Sequence, residues 1–221
     1  MIHDLITLIF PRNCVHCHRP LITQENHLCI SCKLDLPITQ DHEIQENDLF
    51  RKFAFLPAIK SAQAYLYFHH GGVAQKLLHH LKYRGKEEIG YQLGLWYSDS
   101  LKHLDIDFIL PVPLHPKKQK KRGYNQSLSI AEGIGGELGL EIRTDIVQRV
   151  KSTASQTKKS KVERWKAIEN VYSSAHSDVS GKNVLVVDDV VTTGATVGML
   201  CDRLVDQGVA GIHIASLARG K

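Results

Sequence analysis

Asp188 and Asp189 follow four consecutive apolar residues, 184–187, and run into Val190-Val191-Thr192-Thr193-Gly194-Ala195-Thr196. An apolar run of this length, bounded by Gly181 and the first aspartate, predicts a central strand of a parallel sheet. The acidic pair then stands at the carboxyl end of that strand, where open α/β sheets bind their ligands. Behind it a threonine- and glycine-rich turn opens a helix. Backbone N–H groups and hydroxyls meet there at a positive helix terminus, which favours a phosphate. Gly194 allows close backbone approach and a positive φ. Two carboxylates would repel that phosphate unless another group satisfies them. Sugar hydroxyls do so by donating hydrogen bonds, with Mg2+ nearby to balance the charge. The pattern therefore asks for a ribose 5-phosphate; the plainer alternative is a solvated strand end with a helix cap.

Competing phosphate loops fail. None of the pairs Gly85-Lys86, Gly181-Lys182 and Gly220-Lys221 is followed by Ser or Thr, so the G-x-x-x-x-G-K-[ST] loop is absent. Gly133, Gly135, Gly136 and Gly139 miss the G-x-G-x-x-G frame, because Leu138 takes its last position.

Cys14, Cys17, Cys29 and Cys32 make C-x-x-C, eleven residues, and C-x-x-C again. Two residues between cysteines let both thiolates of a knuckle face one tetrahedral ion, and two knuckles close an S4 site, which predicts structural Zn2+. His16 and His18 lie inside and beside the first knuckle, but four thiolates already fill the site. Two disulfides would suit a secreted module, yet residues 1–10 lack the basic start and small-residue cleavage site of a secretory signal. A redox C-x-x-C normally comes once, at the start of a helix. Cys201 shares helical spacing with Val197, Leu204 and Val205, so it is expected in the core.

Lys117, Lys118, Lys120, Lys121 and Arg122 are five cations in six residues. Lys158, Lys159, Lys161, Arg164 and Lys166 make a second cluster, and Tyr124 and Trp165 flank the two. Three readings stand side by side: solvated loop charge, a pyrophosphate seat, and a track for single-stranded DNA with cations on the backbone and aromatics on the bases. The last two are compatible.

The elements that must position these groups follow from the rest of the chain. Its 221 residues suit one α/β domain of ordinary size plus a small appendage. Hydrophobic residues at 43% and charged residues at 23% exclude wholesale disorder. The net charge of +5 suits a polyanionic ligand without requiring one. No apolar run reaches the ~18 residues of a membrane span. Residues 1–36 read as the cysteine module, opened by a short amphipathic helix with Ile2, Leu5, Ile6 and Ile9 on one side. Residues 37–60 read as a linker and 61–221 as the sheet domain. Strands are expected at 61–68, 106–112, 142–148, 184–187 and 212–217, and helices at 73–81, 87–101, 126–138 and 195–207. Their alternation predicts an α/β architecture with a parallel sheet.

Segment 184–196 resembles the PRPP-binding signature of type I phosphoribosyltransferases. Leu110-Pro111-Val112-Pro113-Leu114, Arg122-Gly123-Tyr124-Asn125-Gln126 and Leu81-Lys82-Tyr83-Arg84-Gly85 resemble the ComF family of competence proteins. So does the run of Thr153, Gln156, Arg164 and Asn170, and the leading cysteines complete a likeness that covers essentially the whole chain. It implies a type I phosphoribosyltransferase-like parallel sheet flanked by helices, behind a four-cysteine zinc ribbon. Asp188 and Asp189 would hold the ribose 2′- and 3′-hydroxyls of PRPP with Mg2+, and Thr192, Thr193, Gly194, Ala195 and Thr196 its 5′-phosphate. The turn after Val112-Pro113 would face the pyrophosphate. Residues 149–165 would form a flap bringing Gln156 and Arg164 to the site, as catalytic residues beside the acidic pair. No dedicated base for a nucleophile is visible, and the motifs name no acceptor. The family is associated with DNA uptake or processing of incoming single strands. That implies single-stranded DNA and competence-machinery proteins as partners, in the cytoplasm or peripherally at the inner face of the membrane. A single-strand-binding factor without turnover, and a zinc-organised interaction module, are the alternatives.

Overall fold

The structure is a computed structural model that describes residues 12–83, 85–150, 171–174 and 178–220. The expected helix of residues 1–10, Arg84, and residues 151–170, which hold all of the expected 149–165 flap but Arg149 and Val150 and the second lysine cluster, with Thr153, Gln156, Arg164, Trp165 and Asn170, lie outside the described residues.

Chain order gives α1 (Ile30–Leu34), α2 (Asp48–Arg51), β1 (Ile59–Phe68), α3 (Val73–Tyr83), α4 (Glu87–Tyr97), β2 (Phe108–Pro111) and α5 (Pro116–Arg122). There follow α6 (Gln126–Leu138), β3 (Glu141–Ile142), β4 (Val147–Arg149), β5 (Tyr172–Ser174), β6 (Asn183–Val191), α7 (Ala195–Asp206) and β7 (Gly211–Gly220). Five strands pair in the order β1-β7-β6-β2-β3, and every pairing is parallel. β4 and β5 make a separate antiparallel pair. The expected strand at 142–148 is thus two short ones, with the ion pair of Arg143 and Asp145 between them.

Val184, Val186 and Val187 are fully buried because β6 lies between β7 and β2 with helices on both faces. One face packs Leu77, Leu81, Leu93, Tyr97, Ile130 and Ile134, and the other Phe53, Leu56, Val197, Leu200, Cys201 and Leu204. Cys201 is therefore a core residue. The glycines of α6 let it press against α4: a Cβ on Gly133 would come within 2.0 Å of the Tyr91 carbonyl oxygen.

Two segments differ from their sequence reading. Residues 117–122, for which solvated loop charge is one of three readings and no helix is expected, form α5. Pro116 opens it, His115 Nδ1 accepts the Lys117 N–H at 3.2 Å, and Gly123 closes it at φ 88°. Lys, Gln and Arg between a proline start and a glycine stop are good helix formers. Residues 37–60, read as a linker from their polar composition, are wired into the sheet. Asp41 takes a bidentate pair from Arg219 of β7, 2.8 Å on each oxygen, and Asn47 caps α2 while donating to the Ala62 carbonyl. Leu49 and Phe53 fill the adjacent core. No helix among the described residues is long and apolar enough to cross a membrane.

Candidate functional site

β2 and β6 stop pairing at Pro111 and Val187, whereas β7 follows β6 to Val191. Val112 still donates its N–H to the Val187 carbonyl at 2.8 Å, and the chain then leaves the sheet through Pro113 toward α5. The gap so left beside Asp188 and Asp189 is a cleft of 200 Å³. The acidic pair therefore belongs to the last paired residues of the strand rather than to a loop.

Asp188 accepts the Ser127 hydroxyl at 3.1 Å and the Asp189 N–H at 2.9 Å. Desolvation, then the neighbouring Asp189 charge, push its carboxyl up to about 7, although those two hydrogen bonds and Lys82 pull the other way. Ser127 is held in place by Asn125, which caps α6 by accepting the Ser127 N–H at 3.1 Å. The same Asn125 donates to the Val112 carbonyl at 3.1 Å, tying the proline turn to the helix. Asp189 faces Lys82, whose Nζ lies 2.9 Å from Oδ2.

Lys118, Arg122 and Arg149 line the same cleft, so with Lys82 four cations face two carboxylates. Arg122 is braced by Gln126 at 2.6 Å and stands 5.7 Å from the centre of the Tyr83 ring. Lys117, Lys120 and Lys121 share α5 with Lys118 and Arg122 but are not among the lining residues; no α5 side chain is buried. A focused positive field with a few oxygen acceptors suits a ligand that carries both phosphate and hydroxyl groups.

Thr196 also lines the cleft, whereas Thr192, Thr193, Gly194 and Ala195 lie just outside its lining. Gly194 has φ 81° with the Phe53 ring packed beneath it, and a Cβ there would sit 3.0 Å from that ring. As the residue before α7 it has no side chain to cap the helix, and the Ala195 N–H reaches only the Thr193 hydroxyl, at 3.5 Å. The Thr192 carbonyl accepts from Lys52 at 2.6 Å, which holds the bend from the α2 side. Gln156 and Arg164 lie outside the described residues. Lys82 falls in a family motif and Arg149 opens the expected flap, neither with a role of its own, and Ser127 carries no signal. Their place depends on how α3, α6 and β4 pack, which residue type does not reveal.

The second constellation is the cysteine module. The Sγ atoms of Cys14, Cys17, Cys29 and Cys32 lie within 4.8 Å of one another, and Cys17 and Cys29 stand 3.7 Å apart. Thiolates at ~2.3 Å from a tetrahedral ion are separated by about 3.8 Å, so these four fit a zinc ion. Burial opposes ionisation of Cys14, yet backbone N–H groups of Cys17, Cys29 and His16 bring its thiol down to about 6, and a thiolate is the form a metal needs. The second knuckle opens α1, with Cys29 just before the helix and Cys32 within it, in place of the short strands of a simple ribbon.

Comparison with known proteins agrees with this geometry. The Phosphoribosyl transferase domain family matches residues 125–221. Competence protein F of Haemophilus influenzae is 36% identical over 113 residues, 50% of this chain and 49% of that protein. DNA utilization protein YhgH of Escherichia coli K12 is 30% identical over 150 residues, 65% of this chain and 66% of that protein. Competence protein ComFC of Bacillus subtilis is 25% identical over 203 residues, 89% of this chain and 79% of that protein. The chain spans about half the length of the first of these relatives and 66% of the second.

Proposed function

Because this chain belongs to the ComF family of competence-related, phosphoribosyltransferase-like proteins, we propose that its cleft binds PRPP. Asp188 and Asp189 accept the ribose hydroxyls, the bend from Thr192 to Thr196 receives the 5′-phosphate, and Lys118, Arg122 and Arg149 face the diphosphate side. One observation carries this: both carboxylates and Thr196 line a single cleft with those cations. Mg2+, arriving with the diphosphate, would supply charge balance beside the acidic pair. Were the glycosidic carbon to react, the cations would stabilise charge developing on the departing diphosphate. Gln156 and Arg164 enter this proposal only through the family resemblance. Thermal unfolding tests it: millimolar PRPP with Mg2+ raises Tm of the wild type and not of Asp189→Ala. No shift in the wild type would end it.

The relatives' names concern competence and DNA utilization, and one feature favours a nucleic-acid partner for this chain too. The five cations of α5 are unburied, and beside Arg122 the Tyr83 ring is 65% exposed. We infer a single-stranded DNA track along α5, cations on phosphates and Tyr83 available to stack on a base. Such a surface adjoins the diphosphate side of the cleft, so both ligands have room. Action in natural transformation, in the cytoplasm or at the inner face of the membrane, and zinc at the four cysteines complete the proposal.

A further inference from the structure

We propose that Lys82 reads the diphosphate of the bound ligand: it leaves Asp189 when sugar hydroxyls arrive and pairs with the phosphates at the glycosidic carbon, so the site prefers PRPP to sugar phosphates that lack a diphosphate. The inference rests on the PRPP reading above and assigns a specificity-determining residue within it. Lys82 comes from α3, outside the segment 125–221 that matches the phosphoribosyltransferase domain.

Its neighbours aim it. The Tyr124 hydroxyl donates to the Leu81 carbonyl on one side, and Arg122 stands over the Tyr83 ring on the other. With Leu81 held by Tyr124 and Tyr83 beside Arg122, the last residue of α5, the side chain between them lines the cleft. The ion pair it makes there is not a surface one. The side chains of Lys82 and Asp189 are 23% and 15% exposed.

Ligand entry disturbs that pair. Asp189 Oδ2 already holds Nζ at 2.9 Å, so a hydroxyl that takes this oxygen competes with the ammonium for it. A largely buried cation without a partner is costly. The other carboxylate, Asp188, takes the Ser127 hydroxyl and the Asp189 N–H on Oδ1, and burial disfavours its charged form, so it is a poor substitute partner for the ammonium. The strongest anion within reach is then the ligand's own diphosphate, which Lys82 faces together with Lys118, Arg122 and Arg149. Lysine suits the exchange, being a compact charge on a flexible four-carbon stem.

Calorimetric titration of the full chain with PRPP and with ribose 5-phosphate, at one fixed Mg2+ concentration, tests this. The wild type binds PRPP more tightly than ribose 5-phosphate. Lys82→Met narrows the ratio of the two affinities by about tenfold or more, the share of one charge-assisted hydrogen bond, and Lys82→Arg preserves it. Thermal unfolding run in parallel verifies the fold, and Lys82→Gln carries the same expectation should the methionine variant unfold. An unchanged ratio in the neutral variants overturns the inference and leaves Lys82 a counter-ion of Asp189 alone. A wild type that binds both compounds equally also overturns it, while the PRPP site stands. A wild type that binds neither overturns the site and the inference together.

Discussion

Ser127 donates its hydroxyl hydrogen to Asp188 at 3.1 Å across the boundary between α6 and β6. This bond, with the Asp189 N–H, is what the fold offers a carboxylate that desolvation and a like charge disfavour. The charged form of Asp188 is therefore held at the expense of stability.

That gives a pH dependence with a definite sign. Below about pH 4 Asp188 is protonated in the folded and unfolded chain alike. As pH rises, the unfolded chain releases the proton first, while the fold keeps it until about 7. Stability is thus lost as pH climbs through 7. Asp188→Asn removes the penalty and still accepts from Ser127. Its Tm should exceed that of the wild type at pH 8, with the gap closing toward pH 5. A constant gap across this range would contradict the account.

Asp41 and Arg219 make a second carboxylate prediction. Both side chains are almost wholly buried, at 2% and 6% exposure. Asp41→Asn leaves the buried guanidinium only the exposed Asp48 carboxylate, 3.8 Å away, as counter-charge and should cost about 3 kcal/mol or more, read from denaturant unfolding. A loss under about 0.5 kcal/mol, the size expected of a surface change, would mean that residues 37–60 do not support the sheet.

Metal analysis addresses the cysteine cluster. One zinc ion per chain is expected, and Cys29→Ser should lower that occupancy. Lys76 Nζ reaches the His16 carbonyl at 2.9 Å, so α3 is anchored to the first knuckle. Stripping the metal with a chelator should therefore also lower the melting temperature. Full zinc content in Cys29→Ser would refute the four-thiolate site.

The DNA track on α5 is read from salt dependence. Binding of a single-stranded oligonucleotide should weaken as salt rises, with a log–log slope falling by about 0.7 for each phosphate contact removed. Lys117→Gln with Lys121→Gln should flatten it, leaving PRPP binding unchanged, since neither residue lines the cleft. Binding that ignores both salt and the substitutions would remove α5 from the interface.

Much of the site could be read from residue order because its pieces are local. The run of valines, the two aspartates, the bend and the helix start are contiguous, and strand, ligand-facing end and turn follow from their types. The same holds for the two C-x-x-C pairs. What stayed hidden depends on packing between distant segments. Lys82 meets Asp189 only because α3 lies against β6, and Ser127 reaches Asp188 only because α6 does. The polar stretch around Asp41 resembled a linker because its buried ion pair has its other half at Arg219, near the end of the chain. Five cations between a proline and a glycine read as charge, not as a helix, because amphipathic periodicity was absent.

The central claim is that the acidic pair and the bend together hold one phosphorylated sugar. A crystal structure of the full chain with PRPP and Mg2+ tests it most directly. The account predicts ribose hydroxyls on Asp188 and Asp189, the 5′-phosphate at residues 192–196, and Lys82 drawn from Asp189 to the diphosphate. PRPP bound elsewhere, or a cleft still closed by the pair of Lys82 and Asp189 at saturating ligand, would contradict it.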